Sequence, residues 1–255
     1  MSARPGGCSQ GPFACCNLGQ HVQDDPAAVR HNRATYARHL GAQPVWLQQV
    51  HGDQVVRLGT NDLARNDTQP PLVADGAVTN ERGVGCVVMV ADCLPLLLAA
   101  PEARGVAALH AGWRGLAGAG RGMQLGRGIV HAGVEALCHV ASCDPADLSV
   151  WLGPCIGPRH FEVGPDVLAA FGVDPVGGLH PRFTPRALST QGDAIDAGQP
   201  KWLADLPGLA QDALRQLGVR DVTGGDLCTV SDPARFFSFR RDGRTGRLAA
   251  GIGLR

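Results

Sequence analysis

Lysine is almost absent from this chain. Of 23 basic residues only Lys201 is a lysine, a shortage that reads as coding bias rather than as phosphate recognition. An excess of either charge is missing too: 23 Lys+Arg balance 23 Asp+Glu. That balance excludes a broad electrostatic footprint for nucleic acid or an anionic membrane. No apolar run is long enough to cross a bilayer. The best stretch, residues 84–100, is broken by Asp92 and Pro95 and falls short of the roughly 20 apolar residues a spanning helix needs. A basic-plus-apolar leader is not read at the start. The nine cysteines are odd in number and irregular in spacing, which argues against a secreted disulfide framework. Reduced thiols in a cytoplasmic protein are expected, some of them as ligands. Repeats and clean linkers are also lacking. The 255 residues, 44% hydrophobic and 18% charged, are therefore expected to form one domain over residues 1–255 with a substantial core.

What is present reads as a mixed α/β pattern. No element is expected over the first twenty residues. Asp25 as N-cap and Pro26 at the first helical position open a helix that keeps Val29, Tyr36 and Leu40 on one face and stops at Gly41. Residues 45–50 and 55–58 read as short strands, and residues 61–71 as a loop. Near-continuous apolar runs at 84–90, 94–100 and 105–109 fit strands covered on both faces. Residues 116–140 read as one helix with a loose, glycine-rich start. A strand at 148–152, a loop at 153–164 and a short helix at 165–171 follow. Residues 172–200 look least ordered. A helix at 207–217 closes at Gly218, and strands are expected at 222–228, 236–241 and 248–252, the last two joined across Asp242-Gly243.

Three residues could converge. His51 follows a strand in Gln49-Val50-His51-Gly52, Cys93 lies between two buried strands after Asp92, and His110 closes a third. Strand ends of open α/β sheets border crevices where side chains meet. Two imidazoles and a thiolate suit zinc, with a fourth position left for water. The competing reading is three unrelated packed side chains, since free cysteine behaves as a small buried hydrophobe. The spacing is no zinc-finger signature, because paired C-x-x-C knuckles are missing. Cys15-Cys16, Cys138-His139 and Cys143 are expected to be structural, and His21, His31, His39, His131, His160 and His180 surface or hydrogen-bonded. Trp46 and Trp113 could stack on a base, with core burial as the default.

The longer motifs carry a resemblance. They are Asn17-Leu18-Gly19 with His21-Val22 and Asp24-Asp25; Gln49-Val50-His51-Gly52; Asp75-Gly76-Ala77-Val78-Thr79; and Ala91-Asp92-Cys93-Leu94-Pro95. They continue through His110-Ala111-Gly112-Trp113-Arg114-Gly115, Gly153-Pro154-Cys155-Ile156-Gly157-Pro158 with Glu162-Val163-Gly164, and residues 236–243 with Thr245-Gly246-Arg247. In this order, and over nearly the whole chain, they resemble the bacterial laccase-domain family, also called polyphenol-oxidase-like proteins and described as purine nucleoside phosphorylases. The pair A-D-C-x-P and H-A-G-W-R-G is its most specific part. The resemblance implies an α+β fold, with mixed β-sheets sandwiched between helices in α-β-β-α layers. It also implies His51, Cys93 and His110 as metal ligands.

The implied activities are phosphorolysis of adenosine, inosine and methylthioadenosine, and hydrolytic deamination of adenosine. Purine nucleosides and phosphate are thus the expected partners of a monomer or small homo-oligomer, with zinc the expected cofactor and copper possible. Zinc would lower the pKa of its water to about 7 for attack on C6 of adenine, and Asp92 or Asp75 could move the proton. Asp92 could equally support a ligand or cap a strand. Pro154-Cys155 lacks the second cysteine of the H-x-E…P-C-x-x-C deaminases, so deamination would use another scaffold. Arg114, four residues beyond His110, and Arg240 could bind phosphate. Asn17 and Gln49 could contact ribose or purine, although Asn17 also suits a turn. Three rival readings remain: a copper-dependent polyphenol oxidase, a metal-free Cys93–His110 hydrolase, and a non-catalytic scaffold with a structural metal.

Overall fold

The computed structural model describes residues 1–64, 69–186 and 200–255. The chain opens with irregular backbone and helix α1 (Pro26–Leu40), capped as its sequence predicts: the Asp25 carboxylate accepts the Ala27 N–H and Gly41 closes the helix in the left-handed region. Strands β1 (Gln43–Val45), β2 (Leu47–Gln48), β3 (Val55–Arg57), β4 (Leu72–Val73), β5 (Gly76–Thr79), β6 (Val84–Val90), β7 (Leu94–Ala99) and β8 (Val106–Ala111) follow. Then come α2 (Trp113–Ala117), α3 (Ile129–Ala141), β9 (Ser149–Leu152), β10 (Glu162–Val163), α4 (Pro165–Ala170), β11 (Phe183–Arg186), β12 (Lys201–Ala204), α5 (Leu206–Gln216), β13 (Asp221–Gly224), α6 (Phe239–Asp242) and β14 (Leu248–Gly253).

Six strands form the larger sheet in the order β13-β9-β7-β8-β5-β3, and three form a second in the order β1-β6-β14. Both mix parallel and antiparallel pairs. The second sheet packs through β6 on β5 and β8; α3 covers the outer face of the larger sheet and α1 that of the smaller one. The layers are therefore α-β-β-α, an α+β fold. Two small sheets, β10-β12-β11 and β2-β4, sit beside them.

Side-chain alternation explains the layering. On β7 and β8, Leu94, Leu96, Leu98, Ala107, Leu109 and Ala111 join the core under α3, whereas Ala108 joins the core between the sheets. His110 continues the Ala108 face, so period two aims it toward the second sheet. Ala74, Ala77, Ala108 and Ala250 line that inter-sheet layer, and such small residues let the sheets approach closely. Leu94, Leu96, Leu98 and Leu109 are wholly buried, each contributing about 1.5–3 kcal/mol of transfer free energy.

Three expectations need correction. Residues 45–50 are not one strand: β1 pairs with β6 and β2 with β4, so the chain changes sheets at buried Trp46. Residues 116–140 are not one helix, because Gly118 (φ 69°) ends α2 and α3 begins only at Ile129. Residues 236–241 are not a strand, and the hairpin across Asp242-Gly243 does not form. Ser238 caps a short helix by accepting the Arg241 N–H, Gly243 ends it, and β14 pairs with β6 instead. Of the expected 222–228 strand, residues 221–224 are extended beside β9. Parts of the expected loop at 61–71 and the poorly ordered 172–200, namely residues 65–68 and 187–199, lie outside the described residues.

Gly133, inside α3, shows how tightly helix meets sheet. A Cβ there would lie 2.3 and 2.5 Å from the Leu109 methyl carbons. Helix propensity alone favours alanine by up to about 1 kcal/mol, but overpacking a fixed core costs about 1–3 kcal/mol. Gly133→Ala is expected to lower stability by about 1 kcal/mol in urea unfolding; a gain would show that Leu109 can move aside.

Candidate metal centre

One buried carboxylate builds this site. Asp75, wholly buried just before β5, accepts the backbone N–H groups of Val50 (3.0 Å), His51 (2.9 Å) and Gly52 (2.7 Å). Its Oδ1 also accepts Nδ1–H of His110 at 2.7 Å. The Asp75 carbonyl takes the His110 N–H as well (2.7 Å). The Q-V-H-G loop and the end of β8 are thereby fixed to one group. Because Nδ1 of His110 is committed, Nε2 is left to face the neighbouring ligands.

His51, Cys93 and His110 come together, with one ligand atom from each within 4.8 Å of the others. They form the one such group of His, Cys, Asp or Glu among the described residues. His51 is exposed, Cys93 half-buried and His110 buried, and the two imidazoles meet edge to face at 4.8 Å. The donor set fits a metal ion: soft sulfur, two borderline nitrogens, and a carboxylate behind one of them. The backbone is strained on both sides of the cluster, with φ of 60° at His51 and 106° at Asp92. Such values are uncommon outside glycine and persist where the surroundings hold them. Asp75 holds the first. Asp92 is held by Thr229, whose hydroxyl donates to Oδ1 (2.6 Å), and by the Arg240 N–H, which donates to Oδ2 (2.6 Å).

The glycines of H-A-G-W-R-G follow from the same crowding. A Cβ on Gly112 would lie 2.8 Å from the His51 ring and 3.1 Å from the Cys93 sulfur, and one on Gly115 would lie 2.6 Å from the Gly52 carbonyl oxygen. Only bare backbone fits between the ligand loops.

Electrostatics couple the three. Burial pushes the Cys93 thiol up, but the His110 charge and hydrogen bonds from His110 and His51 outweigh it, and the thiol is pulled down to about 6. Burial opposes protonation of His110; Cys93 and the Asp75 hydrogen bond overcome it and push the imidazole up to about 9. For Asp75 too, burial acts upward and is outweighed, chiefly by the His110 hydrogen bond, leaving its carboxyl below the usual range. Without a metal the cluster is a thiolate–imidazolium pair backed by a carboxylate.

The three ligands line a cavity of about 870 Å³, within the range of small-molecule sites. Asp92, Gln49, Arg114 and Arg240 line it, as do Trp46 and Trp113. The Gln49 amide is turned onto the backbone of Met89, donating to its carbonyl and accepting its N–H, both at 2.8 Å. Arg114 lies over Trp113 and Arg240 over Phe161. Asn17 and Asp75 do not reach the lining. Asn17 is wholly buried, bonded to Gly19, Asp24 and Arg247. Sequence reasoning passed over Arg33, Arg247, His21 and Phe239, which also line the cavity. The signal was there for Arg247, which lies within the Thr245-Gly246-Arg247 motif. Arg33 falls on the same helix face as Val29, Tyr36 and Leu40, and a charged residue on that inward face was the signal for it.

Comparison with known proteins gives the family and the fold. A family model described as multi-copper polyphenol oxidoreductase laccase matches residues 1–255. The chain belongs to that family. Among curated relatives of this laccase-like chain, purine nucleoside phosphorylase PA4543 of Pseudomonas aeruginosa is 41% identical over 254 residues, covering 100% of this chain and 92% of the relative. Purine nucleoside phosphorylase YfiH of Escherichia coli K12 is 39% identical over 257 residues, covering 99% and 92%. Of solved structures, Neisseria meningitidis protein NMB0706 superposes with a TM-score of 0.80 at 37% identity, covering 100% of this chain and 92% of that one. YlmD from Geobacillus stearothermophilus gives 0.81 at 32%, covering 99% and 90%. No helix among the described residues is long and apolar enough to cross a membrane.

Two measurements check the site. In metal-free protein, the rate of Cys93 alkylation should rise with pH to half its maximum near 6, against 9.0 for an ordinary thiol. A midpoint above 8 would break the thiolate–imidazolium assignment. Asp75→Asn should raise that midpoint and weaken metal binding about 10- to 100-fold, as loss of a ligand's supporting carboxylate does.

Proposed function

We propose that this chain is a zinc-dependent purine nucleoside enzyme, working as a single domain over residues 1–255. It would cleave adenosine, inosine or methylthioadenosine with phosphate, and deaminate adenosine by hydrolysis as a second activity. One observation carries the reading: a His–Cys–His cluster lies in a cavity of small-molecule size that is also lined by guanidinium groups and aromatic rings. The names of the relatives support the substrate class. The charge balance suits small ligands rather than nucleic acid. A cytoplasmic location and a monomer or small homo-oligomer are consistent with the same reading.

His51, Cys93 and His110 would hold the ion. A zinc ion there supplies Lewis acidity, enough to make water a nucleophile near neutral pH. The chain's own residues supply the rest. Asp75 keeps the His110 Nδ1 proton and so fixes the ligand ring. Arg114 and Arg240 bring positive charge to the exposed part of the lining, where it would draw an entering phosphate toward the nucleoside. Trp113 and Phe239 offer ring faces for a purine. Asp92 keeps the segment at Arg240 against the ligand loop, and it is the lining carboxylate nearest in sequence to Cys93, so it is the candidate to carry a proton to the departing group. Gln49 holds the strand β6 edge and completes the polar wall.

Two other readings have an observation behind them. Two histidines and a cysteine also serve copper, and the family description names it. A multicopper oxidase needs several copper sites, however, and one ligand cluster is found among the described residues. The thiolate–imidazolium–carboxylate row resembles the machinery of a cysteine hydrolase. Such a dyad needs one imidazole on sulfur, and here His51 brings a second, which a metal site requires.

Purified protein should contain about one equivalent of zinc per chain, as a three-ligand site predicts. Adenosine should give adenine only with phosphate and inosine without it. Cys93→Ala should lose metal and turnover together. Absence of product under both conditions would end the nucleoside reading; quinone formed from phenols only with copper would install the oxidase instead.

A further inference from the structure

Four guanidinium groups, those of Arg33, Arg114, Arg240 and Arg247, line the cavity. None has a carboxylate partner among the described residues. The carboxylate on the lining, Asp92, is already taken by Thr229 and the Arg240 N–H. The four are not equivalent. Arg114 and Arg240 are exposed, whereas Arg33 and Arg247 are half-buried. Water can solvate the first two. A guanidinium withdrawn from water without a counter-charge is unfavourable until an anion completes it.

Arg33 and Arg247 are also held together, although they come from opposite ends of the chain. The buried Asn17 side-chain amide oxygen accepts the N–H groups of Arg247 (2.8 Å) and Gly19 (2.9 Å). Leu18 donates its N–H to the Arg247 carbonyl at 3.0 Å, and its own carbonyl accepts Nε–H of Arg33 at 2.8 Å. The Asn17-Leu18-Gly19 turn is thus a bracket that carries both arginines. The Arg33 guanidinium lies 3.9 Å over the Trp46 ring, and Nη1 of Arg247 is fixed on the carbonyls of Thr245 and Gly246 at 3.0 and 3.1 Å. Nη1 of Arg33 and Nε and Nη2 of Arg247 make no hydrogen bond among the described residues. Two rigid cations with spare donors, on one wall, are what a tetrahedral oxyanion needs.

We propose that Arg33 and Arg247, with His21 on the same wall, form an oxyanion subsite that takes inorganic phosphate in the cavity shared with His51, Cys93 and His110. Its meaning rests on the phosphorolytic reading, since phosphate is then the second substrate. Its existence rests on the geometry alone. Burial, then the charges of Arg247 and Arg33, hold His21 below the usual imidazole value, which keeps a neutral donor beside the two cations. Burial also pulls Arg33 down to about 10.

Isothermal titration of the metal-loaded protein with inorganic phosphate, without nucleoside, tests the subsite. Arg33→Met and Arg247→Met should each weaken binding about 10- to 100-fold, the usual range for a lost charge-assisted contact. Arg33→Lys and Arg247→Lys should recover part of that loss, and unchanged thermal melting would show that the bracket still folds. Arg121→Met, an exposed arginine outside the cavity lining, should bind as the unmodified protein does. An equal or greater loss in Arg114→Met or Arg240→Met, or no phosphate binding at all, would overturn the assignment. Phosphate that binds in this pattern while adenosine yields no adenine would sink the reaction and leave the subsite. Adenine formation untouched in both methionine variants would do the reverse.

Discussion

The hydrogen bonds converging on the Asp75 carboxylate are the constraint on which the site depends. Three amides of one loop and one imidazole of a strand end share two oxygens. His51 depends on that group for its position, because its loop forms no strand of its own at that point, whereas β8 places His110 and the carboxylate orients its ring. A buried carboxylate with four donors is stable as an anion, and its charge in turn favours a proton on His110. The loop conformation, the ring tautomer and the Cys93 thiolate are therefore one electrostatic arrangement rather than three.

The sheets make this arrangement possible by coming close. Alanines at 74, 77, 108 and 250 thin the inter-sheet layer, so strand ends from different parts of the chain reach the same place. Bare backbone at Gly112 and Gly115 lets the H-A-G-W-R-G turn pass between the ligand loops. The larger hydrophobic side chains lie on the other face, under α3, where they anchor the sheet without crowding the centre. Stability and chemistry are thus assigned to opposite faces of the same strands.

Local signals were legible in the sequence where local physics decides them. Asp25, Pro26 and Gly41 bounded α1, and the apolar runs located β6, β7 and β8 to within a residue or two. The cluster of His51, Cys93 and His110 was visible as three strand ends, and the family resemblance singled it out. Long-range pairing was not legible. Ser238-Phe239 reads as strand until one sees that Asp92, far away in sequence, takes the Arg240 N–H. Asn17 read as a ligand contact because it sits in a motif, yet its amide holds Arg247 and Gly19. The arginines were the largest blind spot: their abundance looked like coding bias, and only partial burial on the cavity lining without a carboxylate partner separates Arg33 and Arg247 from the rest.

The three ligands and the guanidinium wall open into the same cavity, with His51 on its exposed side and His110 at its buried end. An occupant of that cavity would stand on the solvent side of any ion that the three residues held. Such an ion would exchange slowly while the cavity was filled, so its retention would follow traffic through the opening as much as affinity.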